Sequence, residues 1–157
     1  MGLTSTEFQQ ELLSWYRRSK RDLPWRRTQD PYAVWVSEVM LQQTTVAVAV
    51  AYYDRWMSAF PDVRTLASAD EDQVMRMWQG LGYYRRARSL HAAARQMVES
   101  GIPRRHQDWL KVRGAGPYTA AAVASIALGE PVALVDGNVE RVFARLEDRD
   151  ESGAALR

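Results

Sequence analysis

The chain has 157 residues, 46% of them hydrophobic, which suits one ordinary domain, or one domain with part of a second, around a real core and excludes a disordered chain. It contains no cysteine, which excludes disulfides, thiolate nucleophiles and any cluster or zinc site built on sulfur from these residues. The net charge of +2 decides little, but residues 17–27 hold six Arg or Lys against one Asp, residues 76–113 nine against two, and residues 136–151 six carboxylates against three Arg. Arginines beside Trp25, Trp78, Tyr83 and Tyr84 suit a polyanion with stackable bases, and they suit plain solvated helix faces equally well. No apolar stretch approaches the ~20 residues that span a bilayer, and Met1 to Glu7 has neither a basic n-region nor an apolar h-region. A cytoplasmic protein with no membrane partner is expected.

Thr4-Ser-Thr-Glu7 caps a predicted helix whose apolar positions Phe8, Leu12 and Tyr16 fall four apart, and Asp22-Leu-Pro-Trp25 breaks it. Asp30 as N-cap and Pro31 at the first helical position open a second helix over residues 32–43, and a third runs over 44–59, before Pro61. The alternation from Val46 to Val50 also fits a strand, but no second strand candidate exists for it to pair with. Further helices are predicted over 71–79, 85–100 (ended by Gly101 and Pro103), 107–112, 118–128 (ended by Gly129 and Pro131) and 138–146. The fold class is all-α, with short gaps between helices and no internal repeat or low-complexity tract. Residues 147–157 lose apolar periodicity and read as a frayed end.

Glu38 is the one carboxylate within Ala33 to Leu41, with Val34, Trp35, Leu41 and Gln42 three or four residues away on a helix. Partial burial there disfavours the charged form and fits the carboxyl to carry a proton near neutral pH; a wet helix edge or an Arg partner is an equal alternative. Val112 to Thr119 places Gly114-Ala-Gly116 before an Ala-rich helix, where backbone N–H groups are free for an anion. Gly-x-Gly alone is more often a plain turn, but helices predicted on both sides make a helix–hairpin–helix, a sequence-tolerant grip on a DNA phosphate. Val135-Asp-Gly-Asn138 precedes a helix, so capping is the default role of Asp136 or Asn138, and one of them suffices for it. If Asp136 faces the same cleft as Glu38, the pair resembles the two-carboxylate solution to glycosidic cleavage.

Four segments carry a more specific resemblance: Asp22-Leu-Pro-Trp-Arg26, Trp35-Val-Ser-Glu-Val-Met-Leu-Gln-Gln-Thr44, Trp78-Gln-Gly-Leu-Gly-Tyr-Tyr84, and Val135-Asp-Gly-Asn-Val139 with Arg141 and Val142. Through them the chain, from about Leu12 to Leu146, resembles the MutY family of adenine DNA glycosylases within the helix–hairpin–helix, endonuclease III superfamily. The resemblance implies that Glu38 protonates adenine on N7, that Asp136 supports the cationic sugar, and that Tyr118 and Asn138 hold the catalytic groups. It implies that Arg26 contacts the flipped adenine and that Gln42 and Tyr83 wedge into the duplex, while Tyr84 is expected to be the core member of its pair. Tyr118 stands where lyase relatives carry a lysine nucleophile, and Glu38 where endonuclease III relatives tend to have Gln, which implies monofunctional hydrolysis.

The implied architecture is a multi-helix barrel over residues 24–132, with its hairpin at 107–128, packed on an incomplete second helical layer formed by residues 1–23 and 133–157. The implied partner is duplex DNA with adenine opposite 8-oxoguanine or guanine, bound by a monomer. Two features depart from the family: Val112-Arg113 replaces the usual Leu-Pro before the hairpin, and the four cysteines of the family's iron–sulfur cluster are missing, so no cofactor is expected in this chain. The domain that reads 8-oxoguanine is missing too, so residues 1–157 are expected to be a poor catalyst with little preference between opposite bases. The rivals are a bifunctional glycosylase/lyase, a non-catalytic helix–hairpin–helix DNA-binding module and, least of all, a helical scaffold that never meets nucleic acid.

Overall fold

The computed structural model describes residues 5–146, and among these every regular element is helical. The helices are α1 (Ser5–Ser19), α2 (Pro31–Leu41), α3 (Val46–Ala59), α4 (Val63–Ser68), α5 (Glu71–Trp78), α6 (Arg85–Ser100), α7 (His106–Trp109), α8 (Pro117–Leu128) and α9 (Gly137–Leu146), with a 3-10 turn at Pro24–Arg26. Thr4 of the predicted first cap and the frayed end at 147–157 lie outside the described residues. No helix among the described residues is long and apolar enough to cross a membrane.

The architecture is built around α2. Its start follows the sequence signal, because the Asp30 side chain accepts from the Tyr32 N–H at 3.1 Å and Pro31 occupies the first turn, where a missing N–H costs nothing. Eight of its residues, from Tyr32 to Met40 with the exception of Glu38, are buried, so the helix is apolar on every side, the pattern of a core helix. It packs on α8, α3, α6 and the 3-10 turn. Helix α8 is likewise apolar around its circumference, and its alanines 120, 121, 122 and 124 are small enough to let two backbones approach closely. On the far side α4 and α5 pack against α6.

Aromatic rings tie these layers together. Trp35 of α2 meets Trp109 of α7 with centroids 5.9 Å apart, and Trp56 of α3 meets Phe60 at 4.9 Å and Trp78 of α5 at 5.4 Å. All five of these rings are essentially fully buried. The Tyr32 hydroxyl, within the same cluster, donates to the Phe60 carbonyl at 2.8 Å and accepts from the Trp56 indole at 3.3 Å, so one oxygen satisfies two buried polar groups.

Four local expectations are corrected. Helix α2 stops at Leu41 instead of residue 43, because Gln42 is extended and Gln43 has a φ of 55°, and α3 accordingly starts at Val46, behind Thr45. The helix expected at 107–112 ends at Trp109, and the chain tightens into i→i+3 turns from Lys111 to Asp108 and from Val112 to Trp109. Helix α4 was not anticipated; its six residues are too few to show a period, yet Asp62 caps it by accepting from the Thr65 N–H at 2.8 Å. Tyr84 is not a core residue: at 40% exposure it lies at the surface, as Tyr83 does at 63%.

Helices α1 and α9 stand apart. Neither has an extensive contact with another helix, and Leu12, Leu13 and Trp15 of α1 and Val142, Phe143 and Leu146 of α9 are exposed. The central cluster is where stability resides. Tyr32→Phe should leave the Trp56 N–H and the Phe60 carbonyl without their buried partner and cost about 1–3 kcal/mol, read as a lower denaturant midpoint at an unchanged slope.

Candidate active site

Glu38 is the sole carboxylate on α2, and it lies on the side of that helix that meets a cavity of about 650 Å³. The cavity wall includes Val34, Ser37, Leu41 and Val46 on one side, Arg26 and Trp25 from the 3-10 turn, and Tyr118, Asp136 and Asn138 from α8 and α9. The two carboxylates singled out in the sequence, 98 positions apart, thus face one space, and the wet-edge alternative for Glu38 is set aside. Burial pushes the Glu38 carboxyl above its ordinary range; the Tyr118 hydroxyl, a hydrogen-bond partner, acts the other way, and the charge on Asp136 adds to the rise. The Tyr118 phenol is itself pushed up to about 12, by burial and by the carboxylates of Glu38 and Asp136, so it remains a donor at any physiological pH.

Asp136 does the capping that its sequence position predicts. Its Oδ1 accepts from the N–H groups of Asn138 at 3.0 Å and Val139 at 2.8 Å, while Oδ2 accepts from the Asn138 side-chain amide at 3.1 Å. Asn138 in turn accepts from Arg141 at 2.8 Å, so a three-residue relay holds the carboxylate against the first turn of α9. Capping and facing the cavity are therefore one arrangement: the lone pairs are fixed by local donors while the group lines the wall opposite Glu38.

The remaining candidates lie on two fronts. Arg26 lines the same cavity, donates to the Arg21 carbonyl at 3.2 Å and sits 5.5 Å from the Tyr16 ring centroid. Gln42 lines both this cavity and a second one of about 770 Å³, whose wall carries Tyr83 and Arg85, Arg86, Arg88 and Arg113. Its side-chain amide donates to the Thr119 hydroxyl at 3.2 Å, which fastens the end of α2 to the first turn of α8. Thr119 is a site residue that sequence reasoning misses; it is 2% exposed, and a hydroxyl on a helix start just after a glycine turn is the one signal the sequence offers for it. The two hairpin glycines differ. Gly114, with φ of 81°, would place a Cβ 2.7 Å from that of Ser89, so the fold itself requires glycine there, whereas a Cβ on Gly116 meets nothing within 4 Å.

No amine joins the carboxylates. The sequence has two lysines, Lys20 and Lys111; neither lines the cavity, and Lys111 pairs with Asp108 at 2.9 Å. No lysine is therefore placed in this cavity to form a Schiff base, and its wall carries two carboxylates.

The upward shift of Glu38 has a stability consequence. The folded state keeps this proton at pH values where the unfolded chain, with its carboxyl near 4.5, has already lost it, so stability contributed by the neutral form is lost as pH rises upward from that value. Glu38→Gln should therefore melt higher than the parent at about pH 7, with the gap closing towards about pH 4, as followed by thermal unfolding across pH.

Against known proteins, residues 36–154 match the HhH-GPD superfamily of base excision DNA repair proteins. The chain is 48% identical over 153 residues to the adenine DNA glycosylase of Homo sapiens, covering 90% of this chain and 28% of that one, and 44% identical over 164 residues to the adenine DNA glycosylase of Arabidopsis thaliana, covering 87% and 26%. It thus spans a little over a quarter of the length of these relatives. Among solved structures, a thermostable thymine-DNA glycosylase superposes with a TM-score of 0.80 at 30% identity, over 87% of this chain and 64% of that one. A non-covalent endonuclease III–DNA complex superposes at 0.76 and 22% identity, over 96% and 72%, a likeness of fold. With three quarters of its length inside the family match and its helices arranged as in these structures, the chain belongs to the HhH-GPD superfamily of base excision DNA repair proteins.

Proposed function

We propose that this chain carries the catalytic machinery of a monofunctional adenine DNA glycosylase, which hydrolyses the bond between adenine, mispaired with 8-oxoguanine or guanine, and its deoxyribose. The observation that carries the reading is a partly buried Glu38, whose carboxyl is pushed above its ordinary range, in one cavity with a locally fixed Asp136 carboxylate. Adenine is a poor leaving group until N7 is protonated, so Glu38 in its acid form supplies that proton. Asp136 lies beside the sugar and offsets the positive charge that grows as the C1′–N9 bond breaks. Glu38, now ionised, takes a proton from the water that attacks C1′, which returns the acid to its starting state and releases free adenine and an abasic site. Tyr118 donates to Glu38 and Asn138 to Asp136, holding both carboxylates in register.

Binding is assigned to the hairpin and to Arg85, Arg88 and Arg113 on the wall of the second cavity. Exposed N–H groups at the start of α8 take a phosphate, and Arg26 reaches the flipped base, while Gln42 and Tyr83 fill the space it leaves. In this reading the helices between residues 24 and 132 form one part, α1 and α9 belong to a second layer, and the site lies between them. The relatives' names support adenine as the base, and the human and plant proteins are so named. An iron–sulfur cluster of the four-cysteine kind does not fit residues 1–157, which hold no thiolate donor, and the steps above use carboxylates alone.

Glu38→Gln and Asp136→Asn should each slow single-turnover adenine release by ~10²–10⁴-fold while leaving affinity for a mispaired duplex close to the parent's. Full activity in either variant, or release of thymine from a T:G duplex in place of adenine, would sink the assignment. Affinity should fall steeply with salt, as phosphate contacts require. Gly116→Asp, whose Cβ the fold accommodates without a clash, should weaken binding by about tenfold or more with the melting temperature little changed; undiminished affinity would remove the hairpin from the interface.

A further inference from the structure

Arg86, in the first turn of α6, is half-buried and makes no ion pair with any described residue. Its guanidinium is occupied by backbone instead. One terminal nitrogen donates to the carbonyls of Val39 at 3.0 Å, Met40 at 3.2 Å and Gln42; the other donates to those of Leu81 and Gly82, both at 3.3 Å. The Thr44 hydroxyl lies 3.5 Å from both nitrogens. The guanidinium carbon sits 5.2 Å from the Trp78 ring centroid and 5.6 Å from that of Tyr83.

The two groups of carbonyls belong to different segments. Val39 and Met40 close α2, where the last carbonyls have no further N–H to accept from and where the helix dipole favours a cation. Leu81 and Gly82 form the turn after α5, where Gly80 and Gly82 have φ of 100° and 72° and Trp78 donates to the Gly82 carbonyl at 3.0 Å. Each segment leads straight into a non-glycine residue with positive φ, Gln43 at 55° on one side and Tyr83 at 46° on the other, conformations that persist only when their surroundings enforce them. A planar fork of donors spans both segments at once; a lysine ammonium, a point with three donors, does not.

We propose that Arg86 is the positioning residue that holds Gln42 and Tyr83 at a fixed separation, so that base extrusion depends on a side chain whose charge is used up inside the protein. This rests on the reading of Gln42 and Tyr83 as the duplex wedge. Arg86 acts through those two residues: the end of α2 and the turn after α5 are otherwise separate loops, and the guanidinium joins them where they flank the second cavity.

The test combines three measurements on the intact protein. Amide hydrogen exchange in Arg86→Lys should accelerate about tenfold or more in both segments, residues 42–45 and 79–84, while the interior of α2 and α8 keeps its protection. With 2-aminopurine in place of the mispaired adenine, the emission increase on binding should drop several-fold relative to the parent, affinity for a fully paired duplex should stay within about twofold, and Arg86→Lys should add nothing further in a Tyr83→Ala background. Should Arg86→Lys not fold, the parent decides: a clamped guanidinium rotates slowly and gives separate nitrogen resonances for its two terminal groups. Acceleration confined to one segment or to neither, additive effects of Arg86→Lys and Tyr83→Ala, or a single averaged guanidinium resonance overturns the proposal. A parent protein that produces no 2-aminopurine signal counts against the wedge reading instead, and the exchange and resonance measurements still decide the clamp.

Discussion

Everything in this molecule turns on a carboxyl group carried by a helix that is buried on all other sides. Burial of Glu38 disfavours its charged form, so the fold raises the affinity of this carboxyl for its proton. That penalty is sustained by the packing around α2, where Trp35, Val36 and Met40 are essentially inaccessible and α3, α6 and α8 pack on the helix. A looser α2 would let solvent reach the carboxyl and return it to the behaviour of an ordinary surface acid.

The helix is held by charge-dipole complementarity at both ends. Asp30 caps its N-terminus and Arg86 collects its C-terminal carbonyls, the sign of charge that each end of the helix dipole favours. Neither residue lines the cavity that Glu38 faces, yet both hold the helix that carries Glu38. The C-terminal anchor also lies 5.6 Å from the Tyr83 ring centroid beside the second cavity, so the end of α2 and the turn before α6 share a single support.

The two carboxylates are held by contrasting means. Glu38 is positioned by the core, through long-range packing. Asp136 is positioned by three short-range bonds within its own helix start and by the Asn138–Arg141 contact, on an element with no extensive contact to another helix. Local capping is thus what gives Asp136 a defined orientation at the edge of the packed helices. It explains why Asp and Asn occur together there: the Asp caps, and the Asn braces the Asp.

The sequence by itself determined the elements and the chemistry of the groups. Asp30-Pro31 before an apolar run and Gly129 after one marked α2 and α8, since capping and chain stiffness act over three or four residues and are legible wherever those residues stand together. The lone carboxylate among apolar neighbours at Glu38 was compatible with a shifted acid and equally with a wet helix edge, and the family-specific segments supplied the candidate site residues. Short-range competition was not legible: α4 is too brief for a period, and Tyr84 looks as aromatic as any core residue until its neighbours are known. Only the tertiary structure decided that residues 38 and 136 share a cavity, that Gly114 is demanded by Ser89 from another helix, and that Arg86 belongs to the ends of two segments rather than to a basic surface. Those facts depend on contacts between positions 25 to 98 apart or on a fork that closes only after α2, α5 and α6 have packed, and no local pattern of residue types encodes such a meeting.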